Sequence, residues 1–228
     1  MNATTPLGST VPQHSPKPDP TASQAELQYQ YDVFLSYRRA NAWPRFVNTI
    51  FVPMLRHWLE AETGQPPRIF FDVDELETGE SWPHRLAHSI ALSKVMVCLW
   101  SNEYFSSPWC KAELGHMLAR SEITKQDAPL PLILAVLIHD GENIPSELDY
   151  ILRFPIQNYA NPWLAHGSLN AEVLSGLIRK FSVHVSHALQ QVPACDSAWS
   201  NVAIDKFVQL FEQQAIQRAV PSLGQAAS

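Results

Sequence analysis

Trp109 and Glu113 stand four residues apart in the stretch 106–114, "SSPWCKAEL". The stretch reads as the start of a helix. Ser107 is a good N-cap, because its hydroxyl can accept a bond from a free backbone N–H. Pro108 suits the first turn, where its missing N–H is not needed. On such a helix the indole and the carboxylate share one face. A carboxylate fixed beside a bulky aromatic group can act as a nucleophile or as an electrostatic stabiliser of developing positive charge. The same pair also arises often by chance, so its meaning depends on its surroundings.

Other clusters are weaker. Asp72, Asp74, Glu75, Glu77 and Glu80 crowd acid into one segment, but without the regular spacing of a calcium loop. They read as a solvated acidic loop. His84 and His88, and again His184 and His187, have helix-face spacing but no Glu or Cys partner in a zinc pattern. Surface roles are expected for them, and no metal site. Cys110 falls in the first turn of the helix, where the dipole can lower a thiol pKa; a catalytic Cys–His pair is the weaker reading. Cys98, inside an apolar run, is expected in the core.

The elements that must position Glu113 follow from the pattern of apolar runs. The chain has 228 residues, 46% hydrophobic and 17% charged, enough to bury a sizeable core. A net charge of −6 argues against nucleic-acid binding through a basic surface. Three scattered cysteines suit neither a disulfide framework nor a four-ligand zinc site, and imply a reduced, cytoplasmic setting. The longest apolar run, Leu130 to Ile138, is far short of the roughly 20 residues that span a bilayer. No membrane partner is expected. Residues 1–28 are rich in Pro, Ser and Thr and read as a disordered tail without a signal-peptide layout.

From Tyr31 onward, short apolar runs alternate with amphipathic stretches. The runs are "YDVFLS" (Tyr31 to Ser36), "RIFFD" (Arg68 to Asp72), "VMVCLW" (Val95 to Trp100), Leu130 to Ile138, and a weaker "FPIQNY" (Phe154 to Tyr159). Near-continuous hydrophobicity suggests parallel strands covered on both faces. Helical spacing follows Phe46 to Leu59, where Pro53 is expected to bend or break the helix. It recurs at Leu86, Ile90 and Ala91, at Leu114, Met117 and Leu118, and from Leu174 to Leu189. A last amphipathic segment, Trp199 to Phe211, has an apolar face. Five strand–helix alternations predict a doubly wound α/β sheet. Ligands bind such sheets beyond the C-terminal strand ends, which is where the "SSPWCKAEL" helix begins.

Three ordered motifs, "YDVFLSYRR", "IFFDVDELETGESW" and "SKVMVCLWSNEYFSSPWCKAEL", closely resemble a Toll/interleukin receptor (TIR) domain over about residues 30 to 160. The resemblance implies a flavodoxin-like, five-stranded parallel sheet. The expected organisation is a tail at 1–28, the TIR domain at 29–192, and an extra C-terminal helix and tail at 193–228. Two activities are implied. Many TIR domains are adaptors that self-associate, the loop after the second strand being a contact element. Others, including many prokaryotic ones, cleave the nicotinamide–ribose bond of NAD.

The enzymatic members carry a Glu early in the third helix, often as Trp-x-x-x-Glu, which Trp109 and Glu113 match. The resemblance therefore implies Glu113 as the catalytic carboxylate and NAD as the substrate, with no cofactor. Trp109 would wall the ribose or nicotinamide. Arg38 or Arg39 would meet the pyrophosphate, since a guanidinium forks onto phosphate oxygens. Tyr104 and Phe105 lie beside the site as candidates for stacking on a ring, with lid packing as their plainer role. Ser36 and Asp32 resemble family positions near the first strand. The loop holding Asp74, Leu76 and Gly79 would gate the pocket and dock a neighbouring copy, with Gly79 as a hinge. The expected function is an NAD glycohydrolase or cyclase activated by self-assembly, or by a separate activator or sensor protein, in a defence or cell-suicide setting. The alternatives are a non-enzymatic scaffold acting through TIR–TIR contacts, and a deoxyribosyltransferase-like nucleoside enzyme, which uses a Glu in a similar fold.

Overall fold

The computed structural model describes residues 28–71, 82–124, 132–139 and 144–196, together with positions 1, 201, 205, 206 and 209. Five strands form one wholly parallel sheet: β1 (Tyr31–Tyr37), β2 (Ile69–Phe70), β3 (Ser93–Trp100), β4 (Ile133–Leu137) and β5 (Arg153–Pro155). Their spatial order is β2-β1-β3-β4-β5. The connection therefore turns one way from β1 to β2 and the other way from β3 onward. That places a topological switch point between β1 and β3.

The near-continuous apolar runs are explained by burial on both faces. Val33, Leu35, Val95, Val97, Leu99 and Val136 point to one side. There they pack against α2 (Val52–Thr63) and α5 (Leu169–Gln191) through Leu55, Leu59, Leu174, Ile178 and Phe181. Phe34, Met96, Cys98, Trp100 and Ala135 point to the other side. Leu86 and Ile90 of α3 (Trp82–Ala91), with Cys110, Leu114 and Met117 of α4 (Pro108–Thr124), cover them. Alternation within each strand thus divides the core between two helical layers. Trp58 Nε1 donates to Ser175 Oγ at 2.9 Å and ties α2 to α5.

β1 and β3 extend slightly beyond their apolar runs, whereas β2, β4 and β5 are shorter or shifted relative to theirs. The second strand is only two residues long, and the fifth begins at Arg153 and ends at Pro155. Pro53 does not break its helix. A short α1 (Trp43–Phe46) runs into a π-helical turn, Val47–Phe51, and then into α2. Val52 N–H bonds the Val47 carbonyl five residues back. Pro53 has no N–H to give to the carbonyl four residues before it, and the widened turn absorbs that loss. Gly64 ends α2 in the left-handed conformation, φ 72°, with its N–H bonded to Glu60 O at 2.8 Å.

Arg120 of α4 is completely buried. Its guanidinium donates to the carbonyls of Ser93 and Lys94 and to Tyr29 Oη. Tyr29 in turn donates to Pro193 O at 3.0 Å. The segment before β1 and the segment after α5 are thereby joined at the N-terminal edge of the sheet. The expected tail at 2–27 lies outside the described residues. So does most of the expected C-terminal helix, of which Asn201, Asp205, Lys206 and Gln209 are helical and exposed.

Candidate active site

Ser36 is the penultimate residue of β1 and pairs with Cys98 of β3, so its side chain faces α4. Ser107 Oγ accepts from Cys110 N at 3.4 Å, as expected of the helix cap. Pro108 opens α4, and Glu113 follows less than two turns later on the face that meets the sheet. The two elements bring Ser36 and Glu113 together: Ser36 Oγ donates to Glu113 Oε2 at 2.5 Å. Tyr104 Oη lies 2.8 Å from the same Ser36 oxygen. Because the serine proton is committed to the carboxylate, the tyrosine is the donor in that second bond. The result is a relay of three side chains, Tyr104 to Ser36 to Glu113, buried at the C-terminal edge of the sheet.

Glu113 is 7% exposed, Ser36 1% and Tyr104 0%. Burial, then the neighbouring cysteines and Glu113, raise the Tyr104 pKa and keep the phenol protonated. Burial, helped by the Glu113 charge, pushes Cys98 up to about 12. The same two causes push Cys110 up. The helix dipole, which favours a thiolate at this position, is outweighed by burial in apolar surroundings. Cys110 is therefore a protonated wall residue, in keeping with the Cys–His pair being the weaker reading.

Trp109 is half-buried against the layer formed by α3 and α4. Arg38 follows β1 at the C-terminal edge of the sheet, and its charge slightly opposes the upward shift of Cys110. Arg39 is exposed and lies over the Tyr37 ring, 5.8 Å from its centroid. Tyr104 cannot stack on a ligand, because its ring is enclosed. Phe105 packs edge-on against Trp100 and Tyr104, with centroids 5.2 and 5.1 Å apart, which is the lid-packing role. Asp32 lies at the N-terminal end of β1, with Arg68 at 3.2 Å and Lys94 at 2.9 Å. Its acid is remote from Glu113 and holds β1 to its neighbours. Asp74, Leu76 and Gly79 lie outside the described residues.

Some neighbours of the site were not singled out in the sequence. His116, three residues after Glu113, is fully buried. Burial, reinforced by the Arg120 charge, pushes its pKa down to about 3 and leaves it neutral. Asn41 holds φ 56° and donates to Glu103 Oε1 at 3.0 Å. Asn41, Trp43, Ser101, Glu103, His139 and Trp163 line a hollow of about 370 Å³ at the C-terminal sheet edge. Polar residues at helix-face spacing (Glu113, His116, Arg120) were the available signal for the first group. Nothing local announced the hollow, which gathers the ends of four strands.

A 2-1-3-4-5 parallel sheet, with a buried carboxylate anchored at the end of its first strand, defines a flavodoxin-like α/β domain. The family model for the TIR domain matches residues 33–161, more than half of the chain, and the protein belongs to that family. TMV resistance protein N of Nicotiana glutinosa is 29% identical over 93 residues, covering 41% of this chain and 7% of that relative. The match therefore concerns a small part of a much longer protein. The TIR domains of the activated Roq1 resistosome, directly recognizing the pathogen effector XopQ, are similar at 20% identity and a TM-score of 0.36. That comparison covers 83% of this chain and 99% of the other.

Proposed function

We propose that this TIR protein is an NAD glycohydrolase with Glu113 as its catalytic carboxylate. The observation that carries the reading is the 2.5 Å bond from Ser36 to Glu113 Oε2, which orients one acid at the ligand-binding edge of the sheet. Nicotinamide in NAD is already a cationic substituent. When the bond from ribose C1′ to the ring nitrogen breaks, the electron pair stays on nitrogen and neutral nicotinamide leaves. No general acid is needed, unlike in ordinary glycoside hydrolysis. Positive charge then develops on the ribose, and a fixed carboxylate stabilises it electrostatically or by a transient covalent bond. Water supplies hydroxide to C1′ and releases a proton, giving ADP-ribose. Attack by the adenine of the same molecule would give a cyclic product instead.

In this reading Arg38 would meet the pyrophosphate and Trp109 would exclude water beside the acid. Self-association is part of the proposal. Tyr150 and Leu152 are 72% and 68% exposed beside β5, a three-residue edge strand with an apolar groove of about 380 Å³ along it. Exposed apolar groups at an open sheet edge favour docking of another chain. This surface also supports the second reading, a scaffold acting by contact alone. The defence setting rests on the name of the tobacco relative.

The test is NAD consumption by concentrated, purified protein, with chromatography of the products. Wild type is expected to release nicotinamide, and Glu113→Gln to be inactive with native circular dichroism. A folded Glu113→Gln protein with full turnover would defeat the proposal. Loss of association in a Tyr150→Ser, Leu152→Ser double variant, with monomeric folding retained, tests the docking surface.

A further inference from the structure

The hollow beside the relay is not lined by Glu113. It is built by the segments that leave β1 (Asn41, Trp43), β3 (Ser101, Glu103), β4 (His139) and β5 (Trp163). Its position is the β1/β3 switch point, where parallel sheets bind ligands. At about 370 Å³ it falls near the small end of ligand pockets, roughly 300–1,000 Å³, a size for one ring and one sugar.

The lining is chemically uneven. Ser101 is 4% exposed, and its hydroxyl has no hydrogen-bond partner among the described residues. Glu103 uses Oε1 to accept from Asn41, while its Oε2 is covered and has no partner among them. Covered oxygens left unbonded are costly and uncommon in native proteins. They make a place for a ligand with hydrogen-bond donors. Two indoles complete the lining. Trp43 is held edge-on by Phe46, with centroids 5.7 Å apart. Trp163 is 67% exposed, and its backbone N–H is fixed by Asn161 Oδ1 at 2.9 Å. No Lys or Arg belongs to the lining, and the Glu103 charge repels a phosphate.

We propose that this hollow binds a nucleoside moiety, with the base against the tryptophans and the ribose diol donating to the Glu103 carboxylate beside Ser101. Any phosphate on the ligand stays outside. Carboxylates accept ribose hydroxyls in this way at the edges of other parallel sheets. The site is joined to the relay by the backbone turn 101–107. Tyr104 N–H bonds Ser101 O at 3.0 Å, and Ser107 N–H bonds Tyr104 O at 3.1 Å. A ligand that repositions Ser101 or Glu103 therefore acts on Tyr104, and through Ser36 on Glu113.

Binding is separable from turnover and is tested without it, by titrating adenosine into the full chain and following tryptophan fluorescence and heat. Saturable quenching is expected. Glu103→Gln and Trp163→Ala are each expected to weaken it about tenfold or more, as is 2′,3′-dideoxyadenosine in place of adenosine. No saturation by wild type at about 10 mM adenosine, or unchanged affinity in natively folded Glu103→Gln and Trp163→Ala, would overturn the proposal. Two sources supply this chemistry: the distal nucleoside of a dinucleotide substrate, and a free nucleoside. Competition between adenosine and NAD identifies the first, and an adenosine-dependent change in kcat without competition identifies the second. A protein inert toward NAD that still binds adenosine as described would refute the glycohydrolase reading alone.

Discussion

Ser36 Oγ and Glu113 Oε2 are 2.5 Å apart although 77 residues separate them in the chain. One belongs to the first strand and the other to the fourth helix, so the bond forms only when β1 and α4 have packed. The carboxylate is oriented by the fold rather than by its own helix. Removing the serine hydroxyl takes away the acid's anchor on β1.

Hydrogen bonds to charged groups contribute about 1.5–3 kcal/mol. Ser36→Ala is therefore expected to lower kcat for NAD about tenfold to hundredfold, with KM little changed. Tyr104→Phe keeps the serine proton on Glu113 and is expected to lower kcat less than about fivefold. Steady-state kinetics on both variants, with circular dichroism as a control, checks the order. Equal losses would show that the phenol does more than steady Ser36.

Arg38 and Arg39 are adjacent, and Arg39 is engaged over the Tyr37 ring. Arg38→Ala is expected to raise KM for NAD about tenfold, and Arg39→Ala less than about threefold. The reverse order would assign the pyrophosphate to Arg39.

Arg120 carries the N-terminal edge of the core. Arg120→Leu leaves the Ser93 and Lys94 carbonyls and the Tyr29 hydroxyl without their donor. A loss of about 3 kcal/mol is expected in urea unfolding, against about 1 kcal/mol for Tyr29→Phe. A loss for Arg120→Leu within the range of a surface substitution, about 0.5 kcal/mol, would show that the buried cation is dispensable.

His116 should make stability depend on pH. Its native pKa is near 3 against an ordinary value of 6.5. Above pH 6.5 both native and unfolded states are neutral at this group, and it has no effect. As pH falls below 6.5 the unfolded chain takes up a proton that the native state refuses, and stability drops until about pH 3. The loss at pH 4.5 is expected to be about 3 kcal/mol. Asp32 acts in a lower window. Burial raises its pKa, but bonds from Arg68 and Lys94 outweigh that and hold it below 3.8. Its contribution is lost only as pH falls through that lowered value. Urea titrations at several pH values should therefore flatten between pH 6.5 and 4.5 in His116→Leu. An unchanged slope would place the titrating group elsewhere.

The strands and the α4 helix were legible because apolar runs, N-cap serine and first-turn proline are local signals. Periodicity also showed the helix around Pro53, but not that a π-helical turn would carry the chain past the proline. That outcome depends on Phe46, Val47 and Phe51 being buried in register. Glu113 was found through its family motif, which is local as well. Ser36 and Tyr104 were noticed as neighbours of the site, yet their roles depend on burial. A sequence shows a tyrosine near an acid, and only packing shows that its ring is enclosed and its hydroxyl turned inward. The hollow at Glu103 and Trp163 needs four strand ends to converge, which no window of sequence contains.

The fastening of Tyr29 and Pro193 on Arg120 has a consequence for how the domain is carried. Chain arriving at β1 and chain departing from α5 share one mooring, at the pole of the sheet opposite Glu113. The length of β1 between them is about 20 Å at strand rise. A module joined directly before Tyr29 or directly after Pro193 would hang from that pole and leave the acid edge facing outward. Copies strung from adjacent points of a scaffold would then present their edges in a common direction, without a tether crossing in front of them.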